Sequence, residues 1–205
     1  MRITTKKLTL MSLLTAVALI VFIIEAQIPL PVPIPGAKLG LANTITLFAL
    51  FYGKTNSPSE KGDAMPPSRT KGVPQSGGGC PPHPPSISLT TANVFMILVC
   101  RIILGAAFTG RVVAFIYSIS GGLLSFAAMA AMKRFVTEKQ IWACGAVGAV
   151  SHNIGQIIAA VAITGTPSIA AYLPLLVIAG IITGIVTGLV AQFTIMRLTS
   201  QSNKQ

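Results

Sequence analysis

Long apolar stretches recur along this chain, with basic residues gathered between them. Six can be drawn: Leu8–Ile24, Leu39–Tyr52, Ala92–Phe108, Val112–Met132, Ile141–Ile163 and Tyr172–Met196. About 20 apolar residues suffice for a helix to cross the hydrocarbon of a bilayer. In lipid each backbone N–H and C=O must find its partner within the protein, which leaves helices and closed barrels as the spanning structures. Only 9% of the residues are charged, against about 25% in an ordinary soluble domain. The expectation is an all-α membrane protein, a six-transmembrane-helix bundle occupying residues 1–205 as a single domain. Leu39–Tyr52 is short, and a preceding loop that dips into the membrane would extend it. Arg2, Lys6 and Lys7 precede the first stretch as in a signal peptide. Further spans follow it, so it reads as a retained first helix.

The basic residues choose an orientation. With the N-terminus inside, the cytoplasmic segments hold Arg2, Lys6, Lys7, Lys54, Lys61, Arg69, Lys71, Lys133, Arg134, Lys139, Arg197 and Lys204, while only Lys38 and Arg111 lie outside. That bias predicts both termini in the cytoplasm. It also accounts for the net charge of +11 without nucleic acid, because no basic helix face or aromatic-interleaved basic patch is present. Residues 53–88 differ in kind. They are rich in proline, with a Gly77-Gly78-Gly79 run and mixed charges. They read as a disordered cytoplasmic linker insertion, either inert or, at its Pro-Pro-His-Pro-Pro stretch, a polyproline ligand. Pro29-Leu-Pro-Val-Pro-Ile-Pro-Gly36 is an apolar, stiff, extended external loop, serving as a lid over a cavity or as a rigid connector.

Polar residues inside apolar spans are costly unless they have partners. His152, Asn153 and Gln156 sit in the middle of Ile141–Ile163, on neighbouring helix faces. Arg101 falls near the middle of the third span, Asn43 in the outer part of the second, and Lys38 and Glu25 at the outer edge. A bundle brings these into one pocket opening outward. Two uses compete: helix-to-helix hydrogen bonding and ligand recognition. Arg101 requires an anion, a cluster of carbonyls or water. Of the four acidic residues, only Glu25 can approach it, and it sits near the membrane edge, so an anionic ligand is the natural counter-ion. The alternative is that Arg101 bonds carbonyls or snorkels.

Small residues mark packing seams. Gly180, Gly184 and Gly188 repeat every fourth residue in the last span, for a partner helix in this chain or another subunit. Ser12 and Ala16 form a similar pair on the first. Cysteines 80, 100 and 144 are scattered and make no disulfide framework. Cys80 and His83 are too few for a zinc site, and no other metal or cofactor is expected. There is no Gly-x-Ser-x-Gly, HExxH, P-loop or Asp-rich magnesium motif. The chain reads as a binding protein and not as an enzyme.

Pro33-Ile-Pro-Gly-Ala-Lys-Leu-Gly-Leu-Ala-Asn43, Arg101-Ile-Ile-Leu-Gly105, Tyr117-Ser-Ile-Ser-Gly-Gly-Leu-Leu-Ser125, Ser151-His-Asn-Ile-Gly-Gln156 and Tyr172-Leu-Pro-Leu-Leu176 resemble the Gx transporter family, also labelled heptaprenyl diphosphate synthase component I. That family is similar to the substrate-binding S subunits of energy-coupling factor transporters, and the resemblance implies their six-helix fold. It implies capture of a vitamin or related precursor from outside, with a transmembrane coupling subunit and ATPases as partners. Such subunits dock through Ala-x-x-x-Ala on the first helix, and Ser12-x-x-x-Ala16 is the nearest match here.

Together these readings predict a multi-pass subunit of a bacterial plasma membrane that binds or transports a small anionic metabolite, a vitamin, isoprenoid or flavin-related precursor. Lys38, Asn43, Arg101, His152, Asn153 and Gln156 are its candidate substrate-binding residues. The alternative is a non-catalytic membrane accessory of a heptaprenyl diphosphate synthase or of a quinone or redox system.

Overall fold

The computed structural model describes residues 5–28, 38–55 and 89–202. The proline-rich segment 29–36, expected as an external loop, and most of the 53–88 linker lie outside the described residues. Within them the chain forms α1 (Thr5–Glu25), α2 (Asn43–Thr55), α3 (Thr91–Thr109), α4 (Val112–Met132), α5 (Ile141–Thr164) and α6 (Leu173–Ser202). A short 3-10 helix, Pro167–Tyr172, leads into α6. Five of the helical stretches are long and apolar enough to cross a membrane, whereas the α2 region is a shorter apolar helix. At 1.5 Å per residue, the 13 residues of α2 extend only about 20 Å. Residues 39–42, expected to begin the second apolar segment, form a turn instead, and Gly40 takes φ +83 there.

The helix ends follow from local chemistry. Gly110 and Gly165 adopt the left-handed conformation after α3 and α5, and their N–H groups donate to the carbonyls of Ala106 and Val161. This cap suits glycine, which has no Cβ to strain. Thr15, Thr109, Thr164, Thr183 and Thr194 return their hydroxyls to the carbonyl four residues earlier. That local bond lets a hydroxyl sit in an apolar span without a partner on another helix.

Packing is built on glycine. A Cβ on Gly145 would lie 2.6 Å from the Gly184 carbonyl oxygen, and one on Gly184 would lie 2.7 Å from the Ala146 Cα. A Cβ on Gly188 would meet the Trp142 Cα at 2.7 Å. The partner of the α6 glycine seam is therefore α5 of the same chain. On the opposite side of α5, Gly155 packs on the backbone of Ser120 and Gly121 in α4. The result is a three-helix slab, α4–α5–α6, with α5 in the middle. Among the spanning helices α5 has the largest buried share, 50%.

Helix α1 buries Met11, Leu14, Ala18, Phe22 and Glu25, a stripe with the three-and-four spacing of one helix face. It seats Phe22 against Gly105 of α3, where an added Cβ would stand 2.7 Å from the ring. Ser12 and Ala16 are exposed. Their small-residue pair is thus no seam among the described residues.

Candidate functional site

All six helices bring polar or glycine positions to one end of the bundle, where α1 finishes and α2 begins. Lys38, Asn43, Arg101, His152, Asn153 and Gln156 are each at most 7% exposed. The turn before α2 lies over α5. The Lys38 backbone N–H donates to the Gln156 Oε1 at 3.0 Å. The other half of the same amide meets the His152 Nε2, at 2.7 Å. Because an N–H group fixes Oε1 as the acceptor, Nε2 of Gln156 must donate. His152 Nε2 then accepts, and the neutral ring carries its proton on Nδ1, a tautomer assigned from the network. Gly40 presses on the other edge of the ring, since a Cβ there would stand 3.1 Å from the His152 Cδ2. Gly121 of α4 is tighter still, with His152 Nδ1 2.7 Å from where its Cβ would be.

Asn43, the first residue of α2, joins two further helices. Its Nδ2 donates to the Ser125 hydroxyl at 3.1 Å, and its Oδ1 accepts from the Arg101 Nη2 at 3.4 Å. The guanidinium also lies beside Gly122, 3.8 Å from the position a Cβ would take. Arg101 is 3% exposed, and its Nε and Nη1 have no hydrogen-bond partner among the described residues. The Lys38 ammonium likewise has no hydrogen-bond acceptor there; it sits 3.1 Å from the centroid of the Phe22 ring. An aromatic face offers a cation part of what water would. Burial pushes the Lys38 ammonium down to about 8; Glu25 opposes that shift, and Arg101 and Arg111 add to it.

Glu25 joins the candidates: it is 4% exposed within this cluster. Its Oε1 accepts from the backbone N–H of Gly40 and of Leu41, the latter at 3.1 Å. Arg101 and Lys38 lie within electrostatic reach of it, though neither forms an ion pair with it among the described residues. Arg101 therefore has an acidic neighbour in its own chain. Two cations stand near one carboxylate, leaving a local excess of positive charge. The sequence did carry a signal: Glu25 is the one acidic residue adjoining an apolar span on the non-basic side of the chain.

Asn153 faces elsewhere. One residue along a helix is about 100° of rotation, and its Nδ2 points to α6, donating to the Leu176 carbonyl at 2.6 Å. It supplies a helix-to-helix hydrogen bond while its Oδ1 remains without a partner among the described residues. Gly180 makes room for it, because a Cβ there would lie 2.5 Å from the amide nitrogen. The remaining five candidates form one connected cluster with Glu25, Gly40 and Ser125.

A cavity lined by Gly40, Asn43, Thr44, Met129, Thr183 and Thr187 has a volume of about 10 Å³, the space of roughly one water. It is far smaller than the few hundred Å³ of a typical metabolite pocket. The sequence predicts a pocket opening outward; among the described residues the structure brings the polar groups together, with the turn 38–42 laid across the Gln156 amide.

No curated protein and no solved structure matches the chain. The family model for heptaprenyl diphosphate synthase component I matches residues 14–57 and 86–194. The matched stretches include Glu25 and every residue of the cluster, and the gap between them falls inside the proline-rich linker. An apolar helical bundle and a match over most of its length lead to one assignment: the chain belongs to the heptaprenyl diphosphate synthase component I family.

Proposed function

We propose that this protein is a substrate-capturing subunit of a transport system in a bacterial plasma membrane, taking a small anionic metabolite from the outer side. The observation that supports this most is the pair of buried cations, Arg101 and Lys38, whose guanidinium and ammonium nitrogens are left short of acceptors among the described residues. Buried charge without full compensation is expensive and is retained where it serves a ligand or an ion. Asn43 and Gln156 orient the ligand, and His152 hydrogen-bonds to it. The turn 38–42 lifts to admit it, since the Lys38 backbone lies across the Gln156 amide. Energy comes from partner subunits, a transmembrane coupling protein with ATPases, as in the energy-coupling factor systems whose S subunits this chain resembles. The role is one of binding and not of catalysis, because Asp63 is the single aspartate and magnesium–diphosphate chemistry relies on clustered carboxylates.

Ligand retention tests this reading. Purified protein in lipid nanodiscs is released into a native mass spectrometer, and uptake of the ligand so identified is measured in cells. Arg101→Gln should abolish retention and uptake while the protein still folds. Unchanged uptake removes the site.

The family name favours a second reading, a non-catalytic membrane partner of a prenyl diphosphate synthase. Co-purification separates the two: a coupling subunit with ATPases favours transport, and a soluble prenyl synthase favours the accessory role.

A further inference from the structure

Glu25 holds two adjacent backbone N–H groups, those of Gly40 and Leu41, immediately before the first turn of α2. Helix starts present unsatisfied donors and a positive dipole end, so they suit an anion. Here the carboxylate comes from another helix. Its own position is unfavourable, because α1 ends at Glu25 and the C-terminal end of a helix repels negative charge. Arg101 supplies the second, independent observation. It is buried to 3% exposure, is tied through Nη2 to Asn43, the first residue of α2, and keeps Nε and Nη1 without partners among the described residues. Gly40 in turn lies close to the Asn43 amide that holds Arg101, since a Cβ there would stand 3.1 Å from the Asn43 Nδ2, and Lys38 precedes Gly40 by two residues.

We propose that the Gly40 and Leu41 amides, with Arg101 and Lys38, form an oxyanion cradle that Glu25 fills when no ligand is bound, and that the ligand's own carboxylate or phosphate group displaces it. This rests on the capture reading above and adds the chemistry of the ligand's head group and the group it competes with. Glu25 acts as a built-in stand-in. It compensates two buried cations in part in the empty state and holds the turn 38–42 down over His152 and Gln156. An arriving oxyanion takes the amide pair and the free guanidinium edge together, a two-point geometry that suits arginine. The ligand must then bring at least one negative charge, and neutral analogues of the same shape do not open the turn.

The test uses the full chain in nanodiscs, with inorganic phosphate and acetate as probes and chloride at matched ionic strength as control. Apparent affinity is read from the rise of the thermal midpoint with anion concentration. Glu25→Gln keeps the side chain's length and an acceptor oxygen but removes the competing charge. It should bind phosphate or acetate at least tenfold more tightly than the parent chain, and Arg101→Gln added to it should erase that gain. A response to phosphate alone assigns a phosphate head group, and a response to acetate alone a carboxylate. Equal affinity in parent and Glu25→Gln, a gain that survives Arg101→Gln, or an equal effect of chloride overturns the proposal. Should Glu25→Gln fail to fold, Glu25→Asp withdraws the carboxylate by one methylene and keeps the charge. It should still tighten the probes about threefold, and no change in it overturns the cradle. Native mass spectrometry of the parent chain keeps the two ideas apart. A retained metabolite together with unchanged probe affinity defeats the cradle alone, whereas loss of both retention and uptake defeats the capture reading.

Discussion

Gly180 and Asn153 together offer a sharp quantitative test of how the bundle is assembled. A Cβ placed on Gly180 would stand 2.5 Å from the Asn153 Nδ2, which itself is 2.6 Å from the Leu176 carbonyl oxygen. Ordinary van der Waals contact begins near 3.4 Å, so Gly180→Ala drives the amide back by roughly 0.9 Å and lengthens the hydrogen bond to about 3.5 Å, beyond useful geometry. Losing a buried hydrogen bond costs about 1–3 kcal/mol when the donor is left unsatisfied, with interhelical bonds in membranes averaging nearer 0.6 kcal/mol. Alanine returns up to about 1 kcal/mol of helix propensity. Gly180→Ala alone should then destabilise by about 1 kcal/mol. In an Asn153→Ala background nothing obstructs the new methyl, and the same change should be neutral or mildly stabilising. The double-mutant cycle should give a coupling of about 1–2 kcal/mol. Unfolding by SDS in mixed micelles, followed by far-ultraviolet circular dichroism, measures all four proteins. Strict additivity would refute the claim that Gly180 is glycine to admit the Asn153 amide.

Three further outcomes are expected. Gly184→Leu, whose Cβ alone would reach 2.7 Å from the backbone of α5, should force α5 and α6 apart and cost at least the roughly 1–3 kcal/mol of an overpacked core; an unchanged SDS midpoint would contradict the seam. Lys38 titrates near 8, so anion affinity should fall as pH rises from 7 to 9, and Lys38→Met should flatten that profile. Because the folded value lies below that of free lysine, the unfolded chain holds the extra proton between about 8 and 10.5, and this residue's contribution to stability rises with pH across that window. A chain lacking residues 58–85, the stretch between the two family-matched segments, should fold with the same thermal midpoint, since the remaining residues from 56 to 90 still reach about 20 Å when extended and α2 touches α3.

The helices were legible because each lies in an apolar run bounded by basic residues, glycine or proline. Val112–Met132 in α4 is the clearest case, with Arg111 before it and Lys133 after it. The site was legible in part, since a polar residue in an apolar run stands out whatever it touches. Direction was harder to read. Asn153 and His152 are adjacent in sequence, yet one serves α6 and the other the turn before α2. Which side a residue faces depends on where α4 and α6 press against α5, and that is decided by glycines far along the chain. The partners of Glu25 were hidden for a similar reason. α2 begins only at Asn43, and the turn ahead of it brings the Gly40 and Leu41 amides onto the carboxylate. The tight seating of the His152 ring has no sequence signature. It arises because Gly40 and Gly121 both let backbone approach the imidazole.

The Gln156 amide has a consequence for how an opening of the turn would be felt inside the bundle. One end of it holds the Lys38 backbone and the other end the imidazole of His152. While the turn is down, the amide has a single orientation, and so has the ring's proton. Once the Lys38 N–H leaves, nothing fixes which end of the amide faces the ring. The amide can invert, and His152 can then move its proton from one nitrogen to the other. A backbone movement at the rim is thereby written into the position of one proton a full helical turn away, where the nitrogen resonances of a single histidine would read it.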